Sequence, residues 1–407
     1  MKKYIDEFKH LKSIENYDKD EILIDEEVVM HNYTFRSNYR SILPGGMDNN
    51  KDDFEFRLGT SSKREADIIN EMLNKTDAEI MENINFRYHT LSFRKNKKSD
   101  GIILMFHGFN EKTWTKYLPW AKYLMEHTGK TIVLFPIAFH MNRAPATWSD
   151  TRTMFNISKQ RKICHPNLIA SSLFNVAIST RIYNKPQRFI WSGLQTYYDV
   201  IDFINIIKSC QHPLINSNAT IDIFSYSIGS LLAEVLMMTN KNNFFANSKL
   251  VSFCGGAVFN RLSPVSKFIL DSEASVSLYS YMVEHIESHL NRNKVLAEFL
   301  GSNHFEGINF RSMFDYKVFT SEREQKFRNM ANRIYAIALK QDSVVPAYEV
   351  INTLQGSFRD IPIHIDILDY PYKYKHEDPF PILNNIEDIV NESFTKTFDL
   401  ISDFLKK

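Results

Sequence analysis

The chain has 407 residues, which is enough for two domains or for one large α/β domain with insertions. Hydrophobic residues make up 43% and aromatic residues 13%, so disorder as the main state is excluded. The 49 Lys and Arg residues nearly balance the 48 Asp and Glu residues, and this net charge of +1 gives no support to nucleic-acid binding. The three cysteines, Cys164, Cys210 and Cys254, match neither a disulfide framework nor a zinc pattern.

The amino terminus has a basic tip, but no apolar segment typical of a secretory signal follows it. No run approaches the roughly 18 consecutive apolar residues that a membrane-spanning helix requires. We therefore expect a cytoplasmic protein without a transmembrane segment.

The elements can be predicted in chain order from apolar spacing. Residues 1–85 are charged and mixed, with partial helical spacing over 58–76, and we interpret them as an N-terminal extension packed on the main domain. A turn is predicted at 96–101. Apolar runs of strand length predict strands at 86–93, 102–106, 131–137, 219–225, 249–254, 333–339 and 361–368. Helical spacing predicts helices at 113–127, 190–210, 228–236 and 386–404.

Two segments interrupt this alternation of strands and helices. Residues 138–186 are less periodic and indicate an excursion over the sheet. Residues 257–330 are helical in pattern, without a buried strand, and indicate an inserted cap. We therefore predict an α/β domain over 86–407, with a mostly parallel central sheet and helices on both faces. Ligands of such sheets bind beyond the carboxyl ends of the strands, so the residues that follow the strands are the candidates for a site.

Ser227 stands between the predicted strand at 219–225 and the helix that follows. Ser225 and Gly229 lie two residues before and after it, and such small residues let a strand and a helix pass closely. A serine in this turn places its hydroxyl at a helix N-terminus, where partial positive charge stabilises developing negative charge. The alternative is a helix N-cap serine followed by a close-packing glycine.

This arrangement resembles the nucleophile elbow of the α/β-hydrolase superfamily, G-x-S-x-G, with Ser225 in place of the first glycine. The resemblance covers roughly residues 86–407. Within the superfamily the chain resembles an uncharacterised bacterial family of α/β-hydrolase-like proteins. The resemblance implies the α/β-hydrolase fold, together with an acid and then a histidine later in the chain.

Two residues fit this order. Asp342 follows the predicted strand at 333–339, and His376 lies in the loop between the last strand and the last helix. By the resemblance, His376 takes the proton of Ser227, and Asp342 orients the imidazole. Glu377 and Asp378 are rival acids, but they are too close in the chain to His376 to reach its far ring nitrogen easily.

His107 and Gly108 end the strand at 102–106. The family often carries His-Gly at this point, and the resemblance implies that the backbone N–H groups of Phe109 and Ile228 form an oxyanion hole. The alternative for His107-Gly108 is an ordinary tight turn between a strand and a loop.

Other candidates are weaker. His285 and His289 are four residues apart, as in some zinc sites, but no H-E-x-x-H motif is present, and a solvated helix face is favoured. His140 and Arg143 follow the strand at 131–137 and lie near the site by topology. Arg143 could receive a substrate carboxylate or phosphate, or form a structural salt bridge. No metal site and no nucleotide-binding motif are predicted, so no cofactor is expected.

The leading hypothesis is a serine hydrolase that cleaves a carboxylic ester or a related small acyl compound through an acyl-enzyme on Ser227. Two alternatives remain open. One is a catalytically inactive binding protein of the same fold, suggested by Ser225 in the elbow. The other is an acyltransferase or peptidase with the same three residues, because a fold does not by itself define a function.

Overall fold

The computed structural model describes residues 3–46, 75–95 and 98–406. The helical spacing predicted over 58–76 lies outside the described residues except for its last two positions. The first two positions of the turn predicted at 96–101 also lie outside them, and the rest of that turn leads into a strand that begins at Ser99.

The strands of the described residues form one sheet of nine strands. They are β1 (Glu21–Leu23), β2 (Val28–Arg36), β3 (Asn85–Phe93), β4 (Ser99–Phe106), β5 (Thr131–Leu134), β6 (Ile215–Tyr226), β7 (Leu250–Phe253), β8 (Ile334–Leu339) and β9 (His364–Leu368). Their order across the sheet is β1-β2-β3-β5-β4-β6-β7-β8-β9. From β5 to β9 every pairing is parallel, whereas β1, β2 and β3 are antiparallel to their neighbours. The prediction of a mostly parallel sheet is confirmed.

The α-helices lie between and around these strands. They are α1 (Tyr4–Ile14), α2 (Met81–Ile84), α3 (Leu118–Thr128), α4 (Thr151–Cys164), α5 (Val176–Asn184), α6 (Arg188–Lys208), α7 (Gly229–Thr239), α8 (Ser272–Ser280), α9 (Ile286–Arg292), α10 (Lys294–Leu300), α11 (Phe305–Ser312), α12 (Thr320–Asn329), α13 (Ala347–Leu354) and α14 (Glu387–Lys406). A π-helical turn, Tyr281–His285, joins α8 to α9. Within the described ranges no helix is both long and apolar enough to cross a bilayer.

The sheet separates two apolar cores. Strand β4 shows why, because its side chains alternate between the faces: Ile102 and Leu104 belong to one core, and Ile103 and Met105 to the other. All four are fully buried, as expected for a strand covered on both faces. Helices α6 and α7 cover the first face, and α1, α3 and α14 cover the second. Helices therefore lie on both faces, as predicted.

Two strands of this sheet, β1 and β2, come from the segment that the sequence indicated as an extension. Strand β2 pairs with β3 along its whole length, from Val28 opposite Phe93 to Arg36 opposite Asn85. Its sequence mixes polar and apolar residues without clean alternation, and its burial is equally irregular. That irregularity is the physical reason why spacing alone did not predict the strand.

The segment between β7 and β8 is helical, as predicted, and holds α8 to α12. The excursion between β5 and α6 also contains two helices, α4 and α5, where the sequence predicted little regular structure. A bidentate ion pair joins the two segments: Arg161 donates to both carboxylate oxygens of Asp271 at 2.6 and 3.0 Å, and both side chains are buried. This buried ion pair therefore holds the segment between β5 and α6 against the segment between β7 and β8.

Candidate active site

Ser227 occupies a strained turn between β6 and α7. Strand β6 ends at Tyr226 and the helix begins at Gly229. The backbone of Ser227 has φ = +57°, in the left-handed region that residues with a side chain rarely adopt. Its N–H donates to the carbonyl of Phe253 at the end of β7 (3.1 Å), which fixes the turn against the neighbouring strand. The sequence-predicted elbow is thus a sharp strand-to-helix turn.

Close approach of the end of β4 explains two glycines of this region. A Cβ atom on Gly229 would lie 2.8 Å from the carbonyl oxygen of His107 and 2.9 Å from Cβ of Phe106. A Cβ atom on Gly108 would lie 3.4 Å from Cβ of Ser227. The loop after β4 and the elbow are therefore in direct contact. A side chain at Gly229 would clash with the backbone of His107, and one at Gly108 would crowd the ring of Tyr226, whose Cδ1 would lie 3.1 Å away.

Ser225, which replaces the first glycine of the family's elbow, is accommodated by hydrogen bonds. Its hydroxyl donates to the carbonyl of Val251 (3.1 Å), since a carbonyl only accepts. The hydroxyl of Ser230 therefore supplies the proton in the 3.0 Å contact between the two serine oxygens. The side chain of Ser225 is fully buried, and its hydroxyl has partners on both β7 and α7.

A continuous chain of hydrogen bonds joins Ser227, His376 and Asp342. The hydroxyl oxygen of Ser227 lies 2.7 Å from Nε2 of His376, and Nδ1 of His376 lies 2.7 Å from Oδ2 of Asp342. The other carboxylate oxygen accepts the N–H groups of Val344 (2.8 Å) and Val345 (2.9 Å). Because Asp342 accepts, Nδ1 carries the ring proton, which leaves the lone pair of Nε2 facing the serine hydroxyl.

Tyr226 and Lys116 hold the loop that carries His376. The hydroxyl of Tyr226 donates to the carbonyl of His376, and the two rings stack with centroids 5.6 Å apart. The ammonium of Lys116 donates to the carbonyl of Glu377 at 3.1 Å. The carboxylate of Glu377, one of the rival acids, accepts the hydroxyl of Ser266 instead of approaching the imidazole.

His107 fixes the peptide that follows it. The N–H of Ile137 donates to Nε2 of His107 (3.0 Å), so Nδ1 carries the ring proton and donates to the carbonyl of Gly108 (2.8 Å). Burial lowers the pKa of His107 well below its ordinary value, which keeps the ring neutral. Because the peptide is trans, the N–H of Phe109 points away from His107. Within the described ranges neither this N–H nor that of Ile228 has a hydrogen-bond acceptor.

A second hydrogen-bond network holds the loop that follows β4, and the sequence did not predict it. The N–H of Gly108 donates to the hydroxyl of Tyr117 (2.9 Å), which donates to the carboxylate of Glu111 (2.9 Å). Lys116 forms an ion pair with the same carboxylate. These residues have no recognisable motif, so only their position just after the His-Gly dipeptide could have singled them out.

Arg143, one of the two candidate substrate-binding residues, is a structural residue. Its guanidinium is fully buried and donates to the carboxylate of Asp199 (2.7 Å), to the side chain of Asn83 (3.0 Å) and to two backbone carbonyls. It also stacks on the ring of Phe86, 3.9 Å from its centroid. The salt-bridge alternative accounts for Arg143, and a substrate would have to displace these partners to reach it.

His140, the other candidate substrate-binding residue, has a hydrogen-bond partner at only one of its two ring nitrogens among the described residues. It is buried, and its Nδ1 lies 2.9 Å from the carbonyl of Ala138, so Nδ1 carries the ring proton. Burial lowers the pKa of His140 to about 4, which keeps the ring neutral at physiological pH. Its Nε2 finds no partner among the described residues. His140 lines a cavity of about 40 Å³ together with Phe109 and Ile228.

The remaining candidates do not assemble a site. Nδ1 of His289 lies 2.7 Å from the hydroxyl of Tyr281, and the side chain of His285 is 42% exposed. In the part of the chain that the structure describes, no three His, Cys, Asp or Glu side chains converge as metal ligands would. The three cysteines are free thiols.

Three solved structures are similar to this chain, each at low sequence identity. The parallel sheet flanked by helices, with the elbow after β6, is the α/β-hydrolase fold that the sequence predicted. Esterase Est22 aligns over 98% of this chain and 86% of its own, at 10% identity and a TM-score of 0.45. Carboxyl esterase 2 of Tuber melanosporum aligns over 79% and 81%, at 11% identity and a TM-score of 0.43. An acylaminoacyl peptidase of Pyrococcus horikoshii aligns over 79% of this chain but 39% of its own, at 13% identity and a TM-score of 0.40.

None of the curated proteins compared with the sequence matches it significantly. One family model does match, and it spans residues 1–406, almost the whole chain. The chain therefore belongs to DUF6051, a family of unknown function.

Proposed function

We propose that this protein is a serine hydrolase that cleaves a carboxylic ester or a related acyl compound. Ser227 is the nucleophile, His376 is the general base and then the general acid, and Asp342 orients and stabilises the imidazole. The backbone N–H groups of Phe109 and Ile228 form the oxyanion hole. The observation that carries the proposal is the unbroken hydrogen-bond chain from Asp342 through His376 to Ser227 in the strained elbow.

In the acylation step, Nε2 of His376 takes the hydroxyl proton of Ser227 as its oxygen bonds to the substrate's carbonyl carbon. The C=O double bond opens, and negative charge collects on the carbonyl oxygen, which the two free N–H groups stabilise. Each such donor contributes about 10²–10³ in rate. When the intermediate collapses, the bond to the leaving alcohol breaks and His376 returns the proton to that alcohol.

In the deacylation step, His376 takes a proton from water as the water oxygen attacks the acyl-enzyme. The acid then leaves, and the proton returns to the oxygen of Ser227. Asp342 holds Nδ1–H in both steps, so the lone pair of Nε2 faces the reacting atoms each time.

Backbone strain favours catalysis over passive binding. A residue with a side chain at positive φ costs about 1–3 kcal/mol, and such strain persists only where the surrounding structure enforces it. Here the strain presents one hydroxyl to one imidazole lone pair. The strained turn and the hydrogen-bond chain together, more than the positive φ alone, support catalysis over passive binding.

Turnover of short p-nitrophenyl esters tests the proposal. Ser227→Ala and His376→Ala should each lower kcat by at least about 10⁴-fold with unchanged thermal unfolding. Ser209→Ala, at an exposed serine after α6, and His127→Ala, on α3, are matched controls that should retain full turnover. Undiminished turnover in Ser227→Ala would contradict the proposal.

The acyltransferase alternative differs in the acceptor that takes the acyl group from Ser227. Adding an alcohol or thiol during ester turnover separates the two activities, because a transferase gives mainly the new ester or thioester and a hydrolase mainly the free acid. For the proposed hydrolase we expect the free acid to predominate.

A further inference from the structure

Two neighbouring segments of the chain contain no acidic residue. They are 151–175, which includes α4, and 261–270, which leads into α8, and we call their exposed side chains the rim surface. Of their basic residues Arg161 is buried against Asp271, and the others are exposed: Arg152, Lys159, Lys162, Arg261 and Lys267. At its border, Asp150 accepts the N–H of Thr153 and caps α4. The net charge of +1 for the whole chain therefore conceals a local excess of positive charge.

The rim surface is also rich in apolar side chains. It holds six of the fifteen large apolar side chains that are exposed among the described residues, namely Phe155, Ile163, Ile169, Phe174, Val265 and Phe268. The rings of Phe174 and Phe268 contact each other, with their centroids 5.2 Å apart. Single exposed apolar side chains are normal on a protein surface, but a concentration of them indicates an interaction surface.

Helix α4 presents apolar and basic side chains together. Phe155, Lys159 and Ile163 recur every four residues, so they share one side of the helix, and all three are exposed. The ammonium of Lys159 lies 4.5 Å from the centroid of the Phe155 ring. A lysine in such a position covers apolar surface with its methylene groups while its charge extends outward. An exposed helix side of this composition is typical of binding at a membrane surface.

Hydrogen bonds hold the two segments of the rim surface together. The hydroxyl of Ser172 donates to the carbonyl of Lys267, and the side-chain amide of Asn175 donates to the carbonyl of Ser266 (2.8 Å). The buried ion pair between α4 and the start of α8 adds to these contacts. The apolar and basic side chains of both segments therefore belong to one connected part of the structure.

The rim surface borders the candidate active site on two sides. Asn110, in the loop after β4, donates through its side-chain amide to the carbonyls of Phe174 (3.0 Å) and Phe268 (2.7 Å). On the other side, the hydroxyl of Ser266 donates to the carboxylate of Glu377, in the loop of the candidate general base. The exposed aromatic pair is therefore connected both to the loop of a candidate oxyanion donor and to the loop of the candidate base.

A bilayer with anionic headgroups is the partner that matches both components of this surface. Its headgroups attract the lysines and arginines, and its acyl chains accept the phenylalanine, isoleucine and valine side chains. A nucleic acid would match the charge but leave the apolar side chains in water. An apolar groove of another protein would leave the cations without a counter-charge. We propose that the rim surface docks on a lipid bilayer that carries anionic headgroups, with the candidate active site facing the bilayer.

Vesicle binding by Ser227→Ala tests the docking without any hydrolysis of lipid. Vesicles of phosphatidylcholine mixed with phosphatidylglycerol are compared with vesicles of phosphatidylcholine alone, and the bound fraction is measured by sedimentation. The mixed vesicles should bind the protein at least about tenfold more tightly, and added salt should weaken this binding. Equal binding to the two kinds of vesicle, or binding to neither, would overturn the proposal.

The basic component is tested by Lys159→Gln with Lys162→Gln in the same background. Each lysine near an anionic surface strengthens binding by roughly fivefold, so the pair should weaken it by at least about tenfold and reduce its dependence on salt. Lys9→Gln with Lys12→Gln is the matched control, because these exposed lysines are also three residues apart on a helix, α1. Binding that falls equally in both double variants would overturn the assignment to the rim surface.

The apolar component is tested by Phe174→Ser with Phe268→Ser. Binding should fall by at least about tenfold while its dependence on salt stays unchanged, because burial of apolar surface is not screened. Phe305→Ser with Phe358→Ser changes two exposed phenylalanines outside the rim surface and should bind like the parent protein. Circular dichroism checks that each variant is folded. Unchanged binding in Phe174→Ser with Phe268→Ser would overturn the proposal.

Two further results would assign the rim surface to a different occupant and overturn the proposal. Binding to poly-L-glutamate, without binding to either kind of vesicle, would indicate an acidic protein. A dimer in analytical ultracentrifugation that dissociates in Phe174→Ser with Phe268→Ser would indicate a second copy of this chain.

The orientation of the site toward the bilayer rests on the proposed function. In the active enzyme, Phe174→Ser with Phe268→Ser should keep the turnover of soluble p-nitrophenyl acetate. It should lose about tenfold or more on p-nitrophenyl palmitate carried in the mixed vesicles. Equal rates of parent and variant on the vesicle-borne ester would overturn this orientation. Because the binding measurements need no turnover, failure of the docking and failure of the proposed function are distinguishable.

Discussion

His140 and Arg143 lie three residues apart in the loop after β5, yet they differ in how completely the protein satisfies them. The guanidinium of Arg143 donates to Asp199, to Asn83 and to backbone carbonyls. One nitrogen of His140 is bonded to Ala138, while the other is buried without a partner among the described residues. From the sequence both residues were candidate substrate contacts by topology, and a structural salt bridge was the favoured alternative for Arg143.

The difference teaches that two polar residues close together in one loop can be satisfied to different degrees. A side chain whose polar atoms are all engaged stabilises the fold, whereas a buried atom without a partner among the described residues, such as Nε2 of His140 or Oδ1 of Asp199, carries an uncompensated desolvation cost. The same criterion distinguishes the backbone of the oxyanion loop, where the N–H of Gly108 is bonded to Tyr117 and that of Phe109 is free of protein acceptors within the described ranges.

Beyond Ser227 and His376 themselves, the largest effect is expected at Asp342. In Asp342→Asn the amide N–H₂ would face Nδ1 of His376, since the N–H groups of Val344 and Val345 hold the other oxygen position. The proton would then move to Nε2, which could no longer accept from Ser227, and kcat should fall by about 10⁴-fold. Steady-state kinetics with a circular dichroism control checks this. Activity within tenfold of the wild type would contradict the proposed role of Asp342.

Arg143→Leu should cost about 3–5 kcal/mol of unfolding free energy, because it leaves the carboxylate of Asp199 buried without its cation. His140→Leu, three residues away, should cost about 1 kcal/mol, since one hydrogen bond to Ala138 is lost. Urea unfolding of the two variants sharpens the comparison directly. Equal destabilisation in the two variants would show that the number of hydrogen-bond partners does not distinguish Arg143 from His140.

Acid should destabilise the fold below the ordinary histidine pKa. Burial lowers the pKa of His140 and His212 to about 4 and that of His89 to about 3, from 6.5. The unfolded chain therefore binds more protons than the native state, so stability falls as the pH drops below 6.5 toward 4. Each histidine should contribute a loss of about 2 kcal/mol at pH 5. Urea unfolding at pH 7.5 and pH 5 measures this, and equal stability at both would contradict it.

The smallest effect is expected at Ser225. Ser225→Gly gives the G-x-S-x-G elbow of the α/β-hydrolases, but it removes the hydrogen bond to the carbonyl of Val251 and the contact with the hydroxyl of Ser230. The unfolding free energy should fall by about 1 kcal/mol while ester turnover is retained. Thermal unfolding and steady-state kinetics of this variant check both parts. A large gain in turnover would show that the serine hinders the elbow.

Much of the fold could be predicted because buried parallel strands are continuous apolar runs. The runs at 102–106 and 333–339 became β4 and β8 with boundaries nearly as predicted. Other boundaries shifted for local reasons. Strand β5 stops at Leu134, ahead of Pro136, which has no N–H to donate to a ladder. Helix α3 begins at Leu118 instead of residue 113, with a proline in its first turn.

The candidate site was partly predictable for the same reason. The carboxyl ends of parallel strands share one edge, so a serine, an aspartate and a histidine after three strands or strand-to-helix turns could be expected to lie close together. The roles of Lys116 and Tyr117 could not be predicted from the sequence, because they depend on contacts with backbone groups. Lys116 donates to the carbonyl of Glu377, and Tyr117 accepts the N–H of Gly108. The free nitrogen of His140 likewise depends on a contact with Ala138 that no spacing rule predicts.

Covalent labelling with a fluorophosphonate probe tests the central claim most directly. The account predicts a single adduct on intact protein, mapped by peptide mass spectrometry to Ser227, and abolished in Ser227→Ala and His376→Ala. Ser209→Ala should label like the wild type. A folded wild type that does not react, or an adduct on a different serine, would contradict the claim that His376 and Asp342 activate Ser227 as a nucleophile.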